Sequence, residues 1–199
     1  WTLPSNTALA VGNKIEYLLV DTFNKYTGDP ISVVIAKDLF KEYFKHNNLN
    51  LSEYVQGDKN IPHEIKLKFN GSELRGLEYD QLLKYDKPEE GDAFKVILAD
   101  FVTTENGTGI VHLAPSFGAE DNLAAKKNGI GSLTLVDKQG RFTDKVTDFA
   151  GLYVKNSFYG KDEEPELSVD VKIVIKLKEE GLCFKSEKYE HSYPHCWRT

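Results

Sequence analysis

Short β-branched and aromatic runs, broken every few residues by glycine, asparagine, aspartate or proline, constrain this chain more than any other feature. Residues 7–11, 15–20, 31–36, 64–69, 94–99 and 110–114 each read as a strand. Gly12-Asn13 and Gly28-Asp29-Pro30 between them are turn chemistry. Asn70-Gly71 predicts a two-residue hairpin joining Lys66-Leu67-Lys68-Phe69 to the segment that starts at Ser72. Helical signals are fewer. Residues 38–46 place Leu39, Tyr43 and Phe44 on one side, with Asn47-Asn48 ending the run. Residues 119–128 carry helix formers, with Glu120-Asp121 in the first turn and Gly129 as a cap.

Residues 166–180 fit two periods. Leu167, Val169, Val171, Ile173, Ile175 and Leu177 alternate as in a strand, whereas Leu167, Val171, Val174, Ile175 and Lys178 form a helical stripe. The run exceeds an ordinary strand, so a helix closed by Gly181 is the expectation. Together these elements predict an α+β fold: one strand-rich, β-barrel-like domain over residues 1–199 with a few peripheral helices.

With 199 residues the chain can bury a sizeable core, and no apolar run is long enough to span a bilayer. The opening Trp1-Thr2-Leu3-Pro4 lacks the basic and apolar regions of a secretory signal. Cys183 and Cys196 are too few for a disulfide framework and suit a reducing cytoplasm. The absence of any Met, even at position 1, points to a piece of something larger or to a processed product. A net charge of −6 argues against unaided grip on nucleic acid, which needs a strong basic surface to neutralise phosphates. Any nucleic acid has to be delivered by a partner surface. No GxGxxG follows a strand and no GxxxxGK[ST] occurs, so neither a dinucleotide nor a P-loop nucleotide is expected.

Residues 107–121 hold the densest chemistry. A turn at Gly107-Thr108-Gly109 feeds a short strand bearing His112, and Ala114-Pro115-Ser116-Phe117-Gly118 leads into a helix with Asp121 in its first turn. Such a strand–loop–helix can aim an imidazole, backbone N–H groups and a carboxylate at one small volume. The positive end of the helix favours ionised Asp121, and an ionised carboxylate in a recess binds an ammonium group. Structural roles fit the same residues: a satisfied core histidine, a helix-end acid, and glycines serving a positive-φ turn. Ser116 with His112 and Asp121 suggests a serine hydrolase, but Ala114 stands where a nucleophile elbow has glycine, and the chain order is wrong for that fold. His191, His195 and Cys196 have metal-like spacing without a second close pair, which disfavours zinc.

Three segments carry a resemblance. The opening Trp1-Thr2-Leu3-Pro4-Ser5-Asn6-Thr7-Ala8-Leu9-Ala10-Val11 resembles the threonine-rich start of the editing insertion (connective polypeptide 1) of isoleucyl-tRNA synthetases. Residues 107–121 resemble that family's second editing motif, and His191-Ser192-Tyr193-Pro194-His195-Cys196-Trp197-Arg198 resembles the return to the catalytic body. The resemblance implies a β-barrel-like editing domain inserted in a Rossmann-type, ATP-binding ligase, with the two chain ends close together. It implies partners: the 3′ end of tRNA(Ile) carrying valine, valine or valyl-adenylate, and the remainder of the synthetase. It implies neither a cofactor nor a metal in this domain, no covalent serine intermediate, and no membrane association.

Isoleucine and valine differ by one methylene, worth only about 1–3 kcal/mol in a pocket, a magnitude established on this synthetase family itself. A second site that destroys what is small enough to enter answers that limit. Carried over by position, Asp121 binds the α-ammonium and His112 lines the side-chain pocket. Trp1, Thr2, Asn6 and Phe117 shape the pocket or contact the terminal adenosine, as do backbone groups around Ala114 and Gly118. The reaction is water attack on the ester, with Thr2, His112 and Asp121 nearest the chemistry. The threonines and proline that precede the tryptophan in the family are missing before Trp1, which implies that the isolated segment folds with hydrolysis weakened or lost. A binding module without turnover, and the editing domain of the related valyl enzyme, are the competing expectations.

Overall fold

The computed structural model describes residues 1–45, 49–160 and 162–187. The closing motif from His191, with its two histidines and Cys196, lies outside the described residues. So do Asn47 and Asn48, expected to end the first helix.

All six expected strands form, with ends moved by a few residues: β1 Ala8–Val11, β2 Glu16–Phe23, β3 Pro30–Ala36, β4 Glu64–Asn70, β5 Lys95–Leu98 and β6 Ile110–Leu113. They build two three-stranded sheets, ordered β5-β1-β6 and β3-β2-β4. β1 runs parallel to β5 and antiparallel to β6, whereas the second sheet is antiparallel throughout. The strand-rich α+β architecture is as expected; the described strands stand as two separate sheets joined through the short β1–β2 connection.

β1 is the buried centre of the first sheet. Ala8 and Ala10 are small enough to lie against Ile97, Leu113 and Ala125 in one core cluster. Tyr17 ties the sheets together: its ring is wholly buried, its hydroxyl donates to Gly109 O at 2.7 Å, and it accepts from Gly12 N–H at 3.0 Å. Gly109 has φ +73°, and an added Cβ there would stand 2.5 Å from Ala36 Cβ. Its glycine therefore serves close packing as well as the turn expected from the sequence.

The helices are α1 Phe40–Tyr43, α2 Gly71–Leu74, α3 Ala119–Lys127 and α4 Val169–Glu179. α1 is shorter than the sequence predicts, because residues Lys37–Leu39 take a 3-10 turn and Phe44 is already extended. α4 confirms a helix, but it buries the other face. Val169, Ile173 and Leu177 enter a core with Leu135, Phe142 and Val146, while Leu167, Val171 and Ile175 stay exposed. Both stripes repeat every four residues; Leu133, Leu135, Phe142, Val146 and Phe149 supply a partner to only one of them.

The Asn70-Gly71 hairpin is corrected. A two-residue hairpin of the expected type needs positive φ, and Gly71 is absent from the positive-φ glycines. Instead Gly71 starts α2, with Glu73 accepting from Asn70 N–H at 2.7 Å and Gly71 N–H donating to Ile15 O at 2.9 Å. No helix among the described residues is long and apolar enough to cross a membrane.

Candidate functional site

β6 carries His112 opposite Leu9 of β1, and the strand stops at Leu113 because the chain reverses over the next five residues. Both Phe117 N–H and Gly118 N–H donate to Ala114 O, at 2.9 and 3.2 Å, closing a turn that leads into α3. Asp121 reaches back from the first turn of α3. Its Oδ2 accepts the Ala114 N–H at 2.9 Å, and Asn122 Nδ2 donates to Pro115 O at 3.0 Å. Two neighbouring side chains of one helix thus fasten the loop, and Asp121 lies beside the end of β6 rather than pointing away.

The opening segment closes the site from the other side. Pro4 stands early in a 3-10 turn over Leu3–Ser5, closed by Ser5 N–H to Thr2 O and Asn6 N–H to Leu3 O. That turn presents Thr2 Oγ1 to His112 Nε2 at 3.0 Å. Trp1 meets Phe117 edge-on, with ring centroids 4.9 Å apart. Burial holds the His112 imidazole below its usual pKa of 6.5, and Asp121 opposes that. Asp121 is therefore close enough for its charge to act on His112.

Seven of the eight expected site residues, Trp1, Thr2, His112, Ala114, Phe117, Gly118 and Asp121, thus gather around the end of β6. Gly118 permits the Asp121 carboxylate to fold back: an added Cβ would lie 2.7 Å from Asp121 Cγ. The eighth, Asn6, is 5% exposed and spends both amide donors on Ala8 O and Leu113 O, at 2.8 and 3.2 Å. It bridges β1 and β6 behind the loop.

Ser116 does not join His112 in a catalytic pair. Its hydroxyl shares a 2.7 Å hydrogen bond with Thr134, and His112 is engaged by Thr2, which removes the physical basis for a serine nucleophile. Among the described residues, no cluster of three or more histidine, cysteine, aspartate or glutamate side chains has the arrangement of a metal site. A shallow, open depression of about 470 Å³ borders the loop, lined by Pro115, Ser116, Phe117, Gly118, Ala119, Asn122 and Leu123; Thr2, His112 and Asp121 are not among its lining residues. Sequence reasoning missed Thr134, which holds Ser116, and Tyr79, whose hydroxyl donates to Asn6 Oδ1 at 2.5 Å. Neither carried a signal in the sequence.

The fold places the chain in a structural class. It superposes on the crystal structure of GlLeuRS-CP1 with a TM-score of 0.53 at 15% identity, over 95% of this chain and 81% of that one. That is the connective polypeptide 1 fold. No model of a known protein family matches the chain. Its full length is 54% identical to isoleucine–tRNA ligase of Cytophaga hutchinsonii, 44% to that of Bacteroides fragilis and 39% to that of Clostridium tetani. The chain belongs with the isoleucine–tRNA ligases, as a segment corresponding to their connective polypeptide 1 domain. It spans 20% of the first two enzymes and 16% of the third.

Proposed function

We propose that this domain proofreads tRNA(Ile), hydrolysing the ester of valine wrongly attached to its 3′ end and, by the same site, valyl-adenylate. The observation that carries the reading is the convergence of Thr2, His112 and Asp121 at the end of β6, assembled from segments more than a hundred residues apart. Each has a task that its chemistry suits. The Asp121 carboxylate, at the positive end of α3, anchors the α-ammonium of the aminoacyl group. His112, held neutral by burial, packs beside the amino acid side chain and limits its length without bringing a competing positive charge next to that ammonium. Thr2 fixes the imidazole and offers a hydroxyl next to the scissile ester, where a water must be held.

Developing negative charge on the ester oxygen needs donors already in place. Backbone N–H groups of the 114–118 loop are the nearest supply, although those of Ala114, Phe117 and Gly118 are spent on the loop itself. Hydroxyls of the terminal ribose complete the set in this reading. The chain's net charge of −6 fits a domain to which the rest of a synthetase delivers the tRNA.

Deacylation of Val-tRNA(Ile), Ile-tRNA(Ile) and Thr-tRNA(Val), followed on this chain and on a full-length ligase carrying it, tests the reading. Selective loss of valine that disappears in Asp121→Ala supports it. Binding of both aminoacyl-tRNAs without turnover in the full-length ligase replaces it with a non-catalytic binding module, and preferential clearance of Thr-tRNA(Val) assigns it to valyl proofreading.

A further inference from the structure

We infer that Tyr79 is a positioning residue, setting the spacing of Thr2 and His112 through the Asn6 side chain; its catalytic consequence rests on the proofreading reading above. Asn6 is the joint. Its backbone N–H donates to Leu3 O at 3.1 Å and closes the turn that presents Thr2. Its side-chain amide donates to Leu113 O, the carbonyl next in chain to His112, and to Ala8 O at the start of β1. Two carbonyl acceptors fix which end of the amide is the NH2, because neither can receive anything from Oδ1. Oδ1 is left needing a donor in a buried place. Tyr79 supplies it at 2.5 Å.

Tyr79 comes from an unrelated stretch of chain and is itself clamped. Its N–H donates to Phe94 O at 2.9 Å, and Phe94 N–H donates to Thr7 O at 2.6 Å, one residue beyond Asn6. The rings of Tyr79 and Phe94 meet edge-on at 6.1 Å. Phe94 makes these contacts from φ +58°, the one non-glycine positive φ among the described residues. A side chain this bulky rarely adopts that conformation, and such outliers persist only where the surroundings hold them. Phe94 thus fastens Tyr79 and Thr7 together, and Tyr79 locks Asn6 between them. Burial also keeps the phenol far above its usual pKa, so it remains a donor throughout the working pH range.

A buried hydroxyl with a purely structural role would lower stability and leave the site's titration alone; a positioning residue moves it. The test is Tyr79→Phe in the full chain, with two readouts independent of turnover: His112 titration and Asn6 side-chain amide exchange, both by NMR. Releasing Asn6 loosens the Thr2 turn and lets water reach the imidazole, so the His112 pKa rises toward 6.5 and Asn6 amide exchange quickens at least about tenfold. Tyr85→Phe is the control: it removes another hydroxyl, bound to Asp148 at 2.5 Å beside α4, and leaves both readouts unchanged.

In a full-length ligase carrying the domain, kcat for deacylation falls about 10- to 100-fold with KM held within about twofold, as misplacement of a reacting group predicts. Should Tyr79→Phe fail to fold, Tyr79→Met, apolar and flexible enough to fill the same space, removes the hydroxyl in its place and carries the same readouts. A folded variant of either kind with unaltered His112 titration and Asn6 exchange overturns the inference, whatever happens to hydrolysis. Altered titration in a protein whose wild type never deacylates Val-tRNA(Ile) leaves the positioning role standing and removes the proofreading reading alone.

Discussion

Thr2 Oγ1 stands 3.0 Å from His112 Nε2, a hydrogen bond between residues 110 positions apart in the chain. It joins the opening turn to the end of β6, and it does so at a histidine whose Nδ1 is buried without a partner among the described residues. A charged imidazole needs two satisfied N–H donors, and this environment supplies at most one. Neutral His112 is the form the fold accommodates.

That preference sets a pH dependence. The folded pKa of His112 lies below the 6.5 of the unfolded chain, chiefly through burial, so between those two values the unfolded state binds more protons. Stability from this group is fully present above about pH 6.5 and declines as pH falls toward the folded pKa. Urea midpoints measured from pH 7.5 to 5 fall at the acid end in the wild type. In His112→Gln that loss is reduced by the share His112 contributes; an equal slope in both proteins removes His112 as its source.

Thr2→Val keeps the shape of the side chain and removes the hydroxyl. A partly buried imidazole nitrogen then loses its partner, at a cost of about 1 kcal/mol in unfolding free energy. On the proofreading reading, hydrolysis suffers more than stability, since the imidazole is freed to turn. Equal deacylation rates for Thr2→Val and wild type show that the hydroxyl is a strut with no part in catalysis.

Gly118→Ala isolates the placement of Asp121. At φ −112° and ψ 131° the backbone of Gly118 accepts alanine without strain, so any effect arises from the side chain it adds. That carbon lies 2.7–3.0 Å from the Asp121 carboxylate group and forces it off Ala114 N–H. Deacylation by Gly118→Ala therefore approaches that of Asp121→Ala, while the unfolding free energy drops by about 1 kcal/mol. The double variant should be no worse than Asp121→Ala alone, because both changes act on one carboxylate. Additive losses separate the two residues.

Legibility differed by the kind of information each element carries. The six strands are local: β-branched runs between turn residues need no knowledge of what they pair with. α4 was legible as a helix but not as to its buried face, because Val169/Ile173/Leu177 and Leu167/Val171/Ile175 are equally apolar and equally spaced. Only the position of Leu135 and Phe142 decides between them, and that is tertiary. In the site, Asp121 and His112 lie within one motif. Thr2 was reached through resemblance, and the geometry then brought it to His112. Tyr79 and Phe94 could not be read at all: Glu78-Tyr79-Asp80 has no pattern, and a positive φ at phenylalanine has no composition signature.

Gly71 shows how a correct residue can support the wrong inference, and it yields the sharpest stability prediction. Asn-Gly is turn chemistry because glycine reaches positive φ, yet Gly71 does not use that freedom. What its missing side chain provides is space: an added Cβ would stand 2.1 Å from Gly12 O and 3.0 Å from Tyr17 Cε2. The first is backbone and cannot rotate away, and the second belongs to the buried ring that ties the two sheets. Gly71→Ala must therefore shift the β1–β2 connection, at a cost of about 1–3 kcal/mol. Gly57, with φ +98° and nothing within 4 Å of its added carbon, is the converse case, where alanine meets only backbone strain. If strain were what matters at both positions, Gly57→Ala would be the more damaging change; if packing decides, Gly71→Ala is. Urea unfolding of the two variants, read with near-ultraviolet circular dichroism of the Tyr17 environment, separates the cases: only Gly71→Ala should disturb the aromatic signal, because only it pushes on that ring.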